Sequence, residues 1–200
     1  DYSGRAISCY GLTDGEGSVV VNGGTKGYSF EWSNLDIDSI LNNVGEGTYS
    51  VIVTDANNCS DTSSVTLAQP DSLIASASIT SDFNGRAISC YGLADGAGSV
   101  VVNGGTQGYS FAWSNSDSDS ILNSVGAGTY SVTVTDVNNC SDTSNITLTQ
   151  PDSLIAVASI TTDFNGKAIS CFGLTDGEGS VVVNGGTQGY TFGWSNLDSD

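Results

Sequence analysis

The sequence predicts an all-β protein built of tandem β-sandwich repeats. Short apolar runs alternate with polar residues at a period of two, which is the pattern of half-buried strands. Gly accounts for 26 of the 200 residues, and together with Ser, Thr, Asn and Asp it separates these runs with turns. Cys9, Cys90 and Cys171 are 81 residues apart, and the three tryptophans have the same spacing. A period of this length suits a small domain that folds by itself, whereas solenoid units are shorter.

Two Gln-Pro-Asp-Ser segments, beginning at Gln69 and Gln150, mark the boundaries between repeats. Pro interrupts a strand ladder, and Asp-Ser restarts the chain in a turn. We therefore predict three domains: 1–70, a repeat that lacks its first strand; 71–151, a complete repeat; and 152–200, a repeat truncated after its middle strand. We expect the 200 residues to be a segment of a longer array.

Within the complete repeat the pattern predicts six or seven strands. They cover, in order, residues 73–79, a short piece at 87–90, then 99–102, 109–113, 121–125, 130–134 and 146–148. Glycine-containing turns separate the early strands, at Gly85, at Asp95-Gly96 and after Asn103, and Asn138-Asn139 closes the last hairpin.

The aromatic residues indicate which faces are buried. Tyr109, Phe111 and Trp113 alternate along one strand, so their side chains share a face, which we expect to point into the core. In the same way Tyr130 and Val132 face one side of a later strand while the serine and threonine residues between them face the other.

Two features favour an immunoglobulin-like sandwich. A Trp lies on the middle strand, as Trp32 and Trp113, and a Tyr follows a Gly-rich corner, as Tyr49 and Tyr130. That Tyr fits a tyrosine corner, in which the hydroxyl bonds to the backbone upstream. Cys59 lies at the final hairpin, ten residues after Tyr49, so the inter-sheet disulfide of antibody domains is excluded.

The charge balance excludes several functional classes. Four Lys and Arg residues against 22 Asp and Glu residues give a net charge of −18, and there is no His. Such a surface repels nucleic acid and anionic membranes. The missing His removes the usual general base and the commonest transition-metal ligand, so we expect no enzyme. No apolar run approaches the length of a membrane span, so we expect no direct membrane insertion.

An ordered series of short motifs runs through each repeat. In the second repeat it consists of Cys-x-Gly at Cys90, Asp-Gly at Asp95, Gly-Gly-Thr at Gly104, Tyr-x-Phe-x-Trp-Ser-Asn at Tyr109, Gly-Thr-Tyr at Gly128, Val-Thr-Asp at Val134, and Cys140. In this order the motifs resemble the SprB repeat. The resemblance implies an extracellular, cell-surface adhesin of Bacteroidota that is exported by the type IX secretion system and forms filaments for gliding or attachment. Residues 115–119 depart from the family, which more often has a Gly-containing turn there.

The cysteines predict disulfides in an exported protein, because each full repeat holds two of them. Two sets of pairings are open: Cys9–Cys59 and Cys90–Cys140 within the repeats, or Cys59–Cys90 across the boundary. We favour pairing within the repeats, since a small domain with a thin core gains ~2–4 kcal/mol from an internal link. Cys171 would then pair beyond residue 200. Free buried thiols are the remaining alternative.

Two loops that directly follow the central Trp strand are candidate calcium sites. They carry oxygen side chains at alternate positions, namely Asn34, Asp36 and Asp38 in the first repeat and Asn115, Asp117 and Asp119 in the second. This spacing lets a loop surround a hard cation such as Ca²⁺, although the Glu and Gly of an EF-hand loop are missing. Asp55, Asn57 and Asp61 form a second candidate. A solvated acidic turn is the alternative interpretation.

Four serines lie in Asp-Ser-apolar sequences, at Ser39, Ser72, Ser120 and Ser153. The suspected lineage implies O-glycosylation at such sequences, and ordinary turns are the alternative.

The predicted function is mechanical. Near-identical domains with short linkers would form a stalk or filament that extends and presents a surface adhesin, with the negative charge keeping it soluble. Its partners would be an extracellular surface or polysaccharide and the neighbouring repeats of the same chain. Two alternatives are a module that binds carbohydrate through its acidic, calcium-loaded loops, and a filament that assembles laterally.

Overall fold

The computed structural model describes Tyr2 and residues 4–195. This part of the chain contains thirteen strands and no helix. The strands are β1 (Gly15–Ser18), β2 (Ser29–Trp32), β3 (Ile40–Val44), β4 (Gly47–Thr54), β5 (Ser60–Leu67), β6 (Ile74–Ile79), β7 (Gly96–Asn103), β8 (Ser110–Trp113), β9 (Ile121–Val125), β10 (Gly128–Thr135), β11 (Ser141–Leu148), β12 (Ile155–Ile160) and β13 (Gly179–Asn184).

The alternating pattern produces these strands as predicted. In β10, Val132 and Val134 are fully buried, whereas Ser131 is exposed. The two apolar side chains share a face because successive residues of a strand point to opposite sides. The predicted short strand at 87–90 is wrong. The N–H groups of Ala87 and Ile88 both donate to the carbonyl oxygen of Thr149 at 3.1 Å, so this segment bends there without forming a ladder.

The strand order of the second repeat is that of an immunoglobulin domain. Its strands form two three-stranded antiparallel sheets, β6-β7-β9 and β11-β10-β8. In the immunoglobulin fold, strands A, B and E likewise share one sheet and strands C, F and G the other. The first repeat forms the sheets β1-β3 and β2-β4-β5, and β12 pairs with β13. The predicted all-β, immunoglobulin-like fold is confirmed.

The two marker residues also take their expected places. The hydroxyl of Tyr130, near the start of β10, donates to the carbonyl oxygen of Gly126 at 3.1 Å, which is a tyrosine corner. Tyr49 makes the equivalent bond to Gly45 at 3.2 Å. Trp113 on β8 is buried, and its indole N–H donates to a backbone carbonyl at 2.9 Å, as a buried indole requires.

The core of the first repeat consists of five buried apolar side chains. They are Trp32, Leu41, Val44, Val51 and Leu67. The residues 81 positions later in the second repeat are buried as well: Trp113, Leu122, Val125, Val132 and Leu148. The same sequence pattern therefore buries the same positions twice.

The first repeat has an open groove where the second repeat has a strand. β1 has 4 residues, whereas the equivalent β7 has 8 and pairs with β6. The groove has a volume of about 410 Å³ and is lined by Val19–Val21, by Ser60–Val65 of β5 and by the core side chains Trp32 and Val51. In the second repeat β6 is held by its neighbours, since the N–H of Ala75 donates to Asp142 Oδ2 at 2.8 Å.

The chain divides into two compact units. The first consists of Asp1–Ala77, Val100–Ser120 and Ser131–Ser144, and the second of Ser78–Ser99, Ile121–Tyr130 and Asn145–Asp200. The first contains the whole of the first repeat together with part of the second. The repeat boundaries at 70/71 and 151/152 stay a prediction.

Candidate functional site: the junction at Cys9 and Cys140

The linker Gln69-Pro70-Asp71 is held in place by hydrogen bonds on both sides. The N–H of Gly11 donates to Gln69 Oε1 at 2.6 Å. On the other side, the N–H of Gly105 donates to the carbonyl oxygen of Asp71 at 2.9 Å. Pro70 between them is buried. A segment fixed in this way connects two domains without acting as a free hinge.

The turn that receives the linker requires glycine. Gly104 has a φ of +68°, and a Cβ atom there would lie 2.0 Å from the carbonyl oxygen of Ser72. Gly185 repeats both features next to Ser153, with a φ of +73° and the same 2.0 Å approach. Any larger residue would push the linker away, so the close approach depends on the Gly-Gly-Thr motif.

The loop that carries Cys9 is shaped by a serine and an aspartate. The hydroxyl and the N–H of Ser8 both donate to the carboxylate of Asp14. The bond from the Ser8 hydroxyl holds the pKa of Asp14 below its ordinary value. The N–H of Leu12 closes a turn on the carbonyl oxygen of Cys9 at 3.2 Å. The N–H of Ala6 bonds to the residue just after β5, which places this loop at the end of that strand.

The hairpin that carries Cys140 is organised by a buried carboxylate. Asp136 is 4% exposed. Its carboxylate accepts the N–H groups of Thr106 at 2.8 Å and of Asn138 and Cys140 at 2.9 Å each. One side chain thus fixes the β10-β11 hairpin against the Gly-Gly-Thr loop.

Cys9 and Cys140 meet at this junction and form a disulfide. Their Cα atoms are 5.7 Å apart, and 131 residues separate them in the chain. Beside the bond, the side-chain amide of Asn138 donates to the carbonyl oxygen of Ser8 at 3.2 Å. The disulfide therefore joins the first loop of the first repeat to the last hairpin of the second.

This pairing differs from every predicted one. Neither Cys9–Cys59 nor Cys90–Cys140 forms, and Cys59–Cys90 does not form either, because Cys59, Cys90 and Cys171 are free and exposed.

The length of one strand explains why pairing within a repeat fails. Cys59 precedes β5, which has 8 residues, and the Cys9 loop lies at the other end of that strand. Eight residues at ~3.3 Å each span ~26 Å, whereas a disulfide needs Cα atoms within about 7 Å. Cys140 and Cys90 are separated by β11 in the same way.

The predicted calcium loops are exposed turns closed by their own side chains. Asn34 Oδ1 accepts the N–H of Asp36 at 3.3 Å, and Asp36 Oδ1 accepts that of Asp38 at 3.1 Å. Asn115, Asp117 and Asp119 repeat this arrangement with the same two distances. In the described part of the chain, no three His, Cys, Asp or Glu side chains lie close enough together to hold a metal ion. Calcium binding stays a prediction.

The other candidates take separate places on the surface. Ser39, Ser72 and Ser153 are exposed, and Ser120 is half-buried. The carboxylate of Asp55 accepts the N–H groups of Thr25, Asn57 and Cys59 at 2.8–2.9 Å. The bonds from Thr25 and Cys59 lower the pKa of Asp55, whose role in the structure is to fix the hairpin.

Sequence reasoning missed the serine–aspartate pairs that shape the cysteine loops. They are Ser8 with Asp14, Ser89 with Asp95 and Ser170 with Asp176. The signal was present, because each Ser precedes a Cys and each Asp precedes the Gly of the Asp-Gly motif.

Comparison with solved structures gives a distant neighbour. The chain resembles the amphioxus IgVJ-C2 molecule with 12% sequence identity and a TM-score of 0.34, over 70% of this chain and 98% of that one. No curated protein matches the chain. The described residues contain no helix that is long and apolar enough to span a membrane.

Comparison with protein families finds one repeat at three places in the chain. The SprB repeat model matches residues 7–36, 88–118 and 167–199. Each match begins just before the loop with the serine–aspartate pair, and the first two run on past the central Trp strand. The matched segments therefore contain the Cys9 loop and the Gly-Gly-Thr motif, whereas the linker and the Cys140 hairpin lie outside them. The SprB repeat therefore occurs at three places in this chain.

Proposed function

We propose that the chain is a stalk or filament segment of a secreted bacterial surface adhesin, used for attachment or gliding. The observation that carries the proposal is the junction, where the hydrogen-bonded linker and the Cys9–Cys140 disulfide hold one repeat to the next. Two connections restrict bending more than one does, and a disulfide suits an oxidising, extracellular setting. The three SprB repeat matches support a surface adhesin.

Immunogold electron microscopy of intact producing cells tests this function. Antibodies raised against the chain should label filaments outside the cell, and deletion of the coding region should reduce attachment to glass or movement over it. Label confined to the cell interior, or attachment and movement that survive the deletion unchanged, would contradict the proposal.

Carbohydrate binding is a second candidate, favoured by exposed aromatic rings. Tyr10 and Tyr91 are each 60% exposed at equivalent positions, and Phe172 occupies the third. Large apolar side chains left in water mark contact surfaces. A glycan array probed with the chain, with and without added Ca²⁺, tests this candidate. Binding should weaken in Tyr91→Ala. It should persist in Tyr130→Phe, because the Tyr130 hydroxyl is bonded to the backbone of Gly126. An array without any signal would eliminate it.

We also propose O-glycosylation at the Asp-Ser-apolar sequences, supported by the exposure of Ser39, Ser72 and Ser153. Sugars at these turns would cover the loops that a protease reaches first. Peptide mass spectrometry of native material should find hexose-containing mass on these serines, and bare serines throughout would exclude it.

A further inference from the structure

We propose that the Cys9–Cys140 disulfide is one member of a periodic series, in which the first-loop cysteine of each repeat bonds to the hairpin cysteine of the next repeat. The first-loop cysteines are Cys9, Cys90 and Cys171, and the hairpin cysteines are Cys59 and Cys140. Under this rule Cys90 pairs with the hairpin cysteine of a completed third repeat, and Cys59 with the first-loop cysteine of a repeat that precedes it. The series is independent of what the stalk adheres to.

The hairpin cysteines are presented by the same local structure. In the first repeat Asp55 accepts the N–H of Cys59 at 2.9 Å, and in the second repeat Asp136 accepts that of Cys140 at 2.9 Å. Both carboxylates also accept the N–H of the threonine of the Gly-Gly-Thr motif, at 2.9 and 2.8 Å. Asn58 and Asn139 adopt φ values of +63° and +65°. Cys59 is therefore placed to make the bond that Cys140 makes.

The first-loop cysteines are presented identically as well. The carbonyl oxygens of Cys9, Cys90 and Cys171 each accept the N–H of the leucine three residues later at 3.2 Å. The serine directly before each of these cysteines is hydrogen-bonded to an aspartate five residues after the cysteine. The loops of Cys90 and Cys171 are therefore already shaped as the paired Cys9 loop is.

The linker geometry also recurs. The N–H of Gly105 donates to the carbonyl oxygen of Asp71 at 2.9 Å, and that of Gly186 donates to Asp152 at 2.8 Å. Since the linker and the disulfide flank the same junction in the first instance, repeating the linker contact repeats half of the arrangement.

Burial separates the cysteines that have a partner from those that do not. Asp136 is buried and Cys140 half-buried, whereas Asp55 is half-buried and Cys59 is exposed. Cys9 is half-buried, and Cys90 and Cys171 are exposed. The equivalent hairpins and loops are thus more buried where the neighbouring partner covers them.

The bond forms by oxidation of two thiols. The thiol of Cys90 and that of the next hairpin cysteine lose two protons and two electrons and form one S–S bond. The electrons reduce a small-molecule or protein disulfide to two thiols, by thiolate attack through a mixed disulfide. Because Cys90 is exposed, an oxidant reaches it.

A longer chain tests the rule. We would compare residues 1–200 with a chain in which residues 120–200 are added once more after residue 200, both folded with glutathione disulfide and mapped by non-reducing peptide mass spectrometry. Both chains should contain Cys9–Cys140. The longer chain should also link Cys90 to the added copy of Cys140, while Cys59 and Cys171 react with iodoacetamide.

Two variants serve as matched controls. Cys140→Ser in the first copy should free Cys9 and leave the link of Cys90 intact, whereas Cys59→Ser should change no link. A Cys9–Cys59 peptide in either chain, a Cys90–Cys140 peptide in the chain of residues 1–200, or a Cys90 thiol that reacts in the folded longer chain would overturn the proposal. Far-ultraviolet circular dichroism confirms that each variant is folded. These outcomes leave the adhesive function to be judged by its own experiment.

Discussion

Asp136 accepts a hydrogen bond from the N–H of Thr106 at 2.8 Å across 30 residues of chain. The same carboxylate binds two N–H groups of its own hairpin. Two loops that are distant in sequence are thereby joined through one buried side chain, directly beside the cysteine that links the repeats.

Asp136→Ala should destabilise the chain by about 2–4 kcal/mol, because it leaves three backbone N–H groups without their charged acceptor. Urea unfolding followed by tryptophan fluorescence measures the loss. Asp55→Ala is the matched control, since it removes the same three bonds at a more exposed site and should cost less. Equal losses in the two variants would contradict the role of burial.

Tyr130→Phe should cost about 0.5–1.5 kcal/mol, because it removes the bond to Gly126 and leaves the ring in place. Tyr49→Phe should behave alike in the first repeat. Tyr91→Phe, at an exposed ring, should leave the free energy of unfolding unchanged. A Tyr130→Phe chain as stable as the parent would mean that the corner contributes nothing.

Acid should destabilise the loops that are shaped by a serine–aspartate pair. The hydroxyl of Ser89 holds the pKa of Asp95 below its ordinary value of 3.8. A pKa that is lower in the folded state gives stability that is complete above the unfolded pKa and is lost as the pH falls through the folded pKa. Melting temperatures of the parent and Ser89→Ala, measured from about pH 6 to about pH 2, should converge at the acid end. Ser118→Ala, at an exposed serine, should follow the parent. A constant difference between Ser89→Ala and the parent would refute the linkage.

Leu35→Gly should stabilise the first acidic loop by about 1 kcal/mol. Leu35 adopts a φ of +72° and is 82% exposed, so its side chain gives up little packing when removed. Ile37→Gly, at a 74% exposed residue outside the left-handed region, should instead lower stability through backbone entropy. Thermal unfolding of both variants decides between these expectations.

A peptide of residues 71–79 should bind the open groove of the first repeat. The equivalent groove of the second repeat is filled by β6, whose Ala75 is 8% exposed. Hydrogen exchange should slow at Val20 and Val21 when the peptide is added, because a strand paired there protects their amides, whereas the N–H of Val19 is already bonded to Ser39. The same peptide with Ala75→Lys should give no protection. Equal protection by both peptides would show that the groove does not select a strand.

The strands of this protein were predictable because they follow from local alternation. Val132 and Val134 reveal the inner face of β10 without reference to any other strand. The segment at 87–90 looked like a strand because it contains apolar residues. Ile88 is buried, but its N–H donates to the carbonyl oxygen of Thr149, just after β11, and no ladder forms. A buried segment that forms no ladder has the same apolar composition as a strand, so the sequence does not distinguish the two.

The disulfide was not predictable in the same way, because it depends on which ends of the sheets meet. Counting two cysteines in each repeat suggested that each repeat is closed on itself. Cys9 and Cys59 lie at opposite ends of β5, so each needs a partner from a neighbouring domain. Placing Cys59 immediately before an eight-residue strand would have been enough to reject the pair.

The ring closed by Cys9 and Cys140 determines where tension travels when the chain is pulled from its ends. Force entering at the first residues crosses the sulfur bridge and leaves the ring at Cys140, so the 131-residue loop between them bears no load. At ~3.5 Å per extended residue, about 460 Å of contour length is withheld until the bridge is reduced. A reductant would therefore lengthen the tether, and single-molecule pulling before and after reduction would show additional extension up to that total as the strands in the loop unfold.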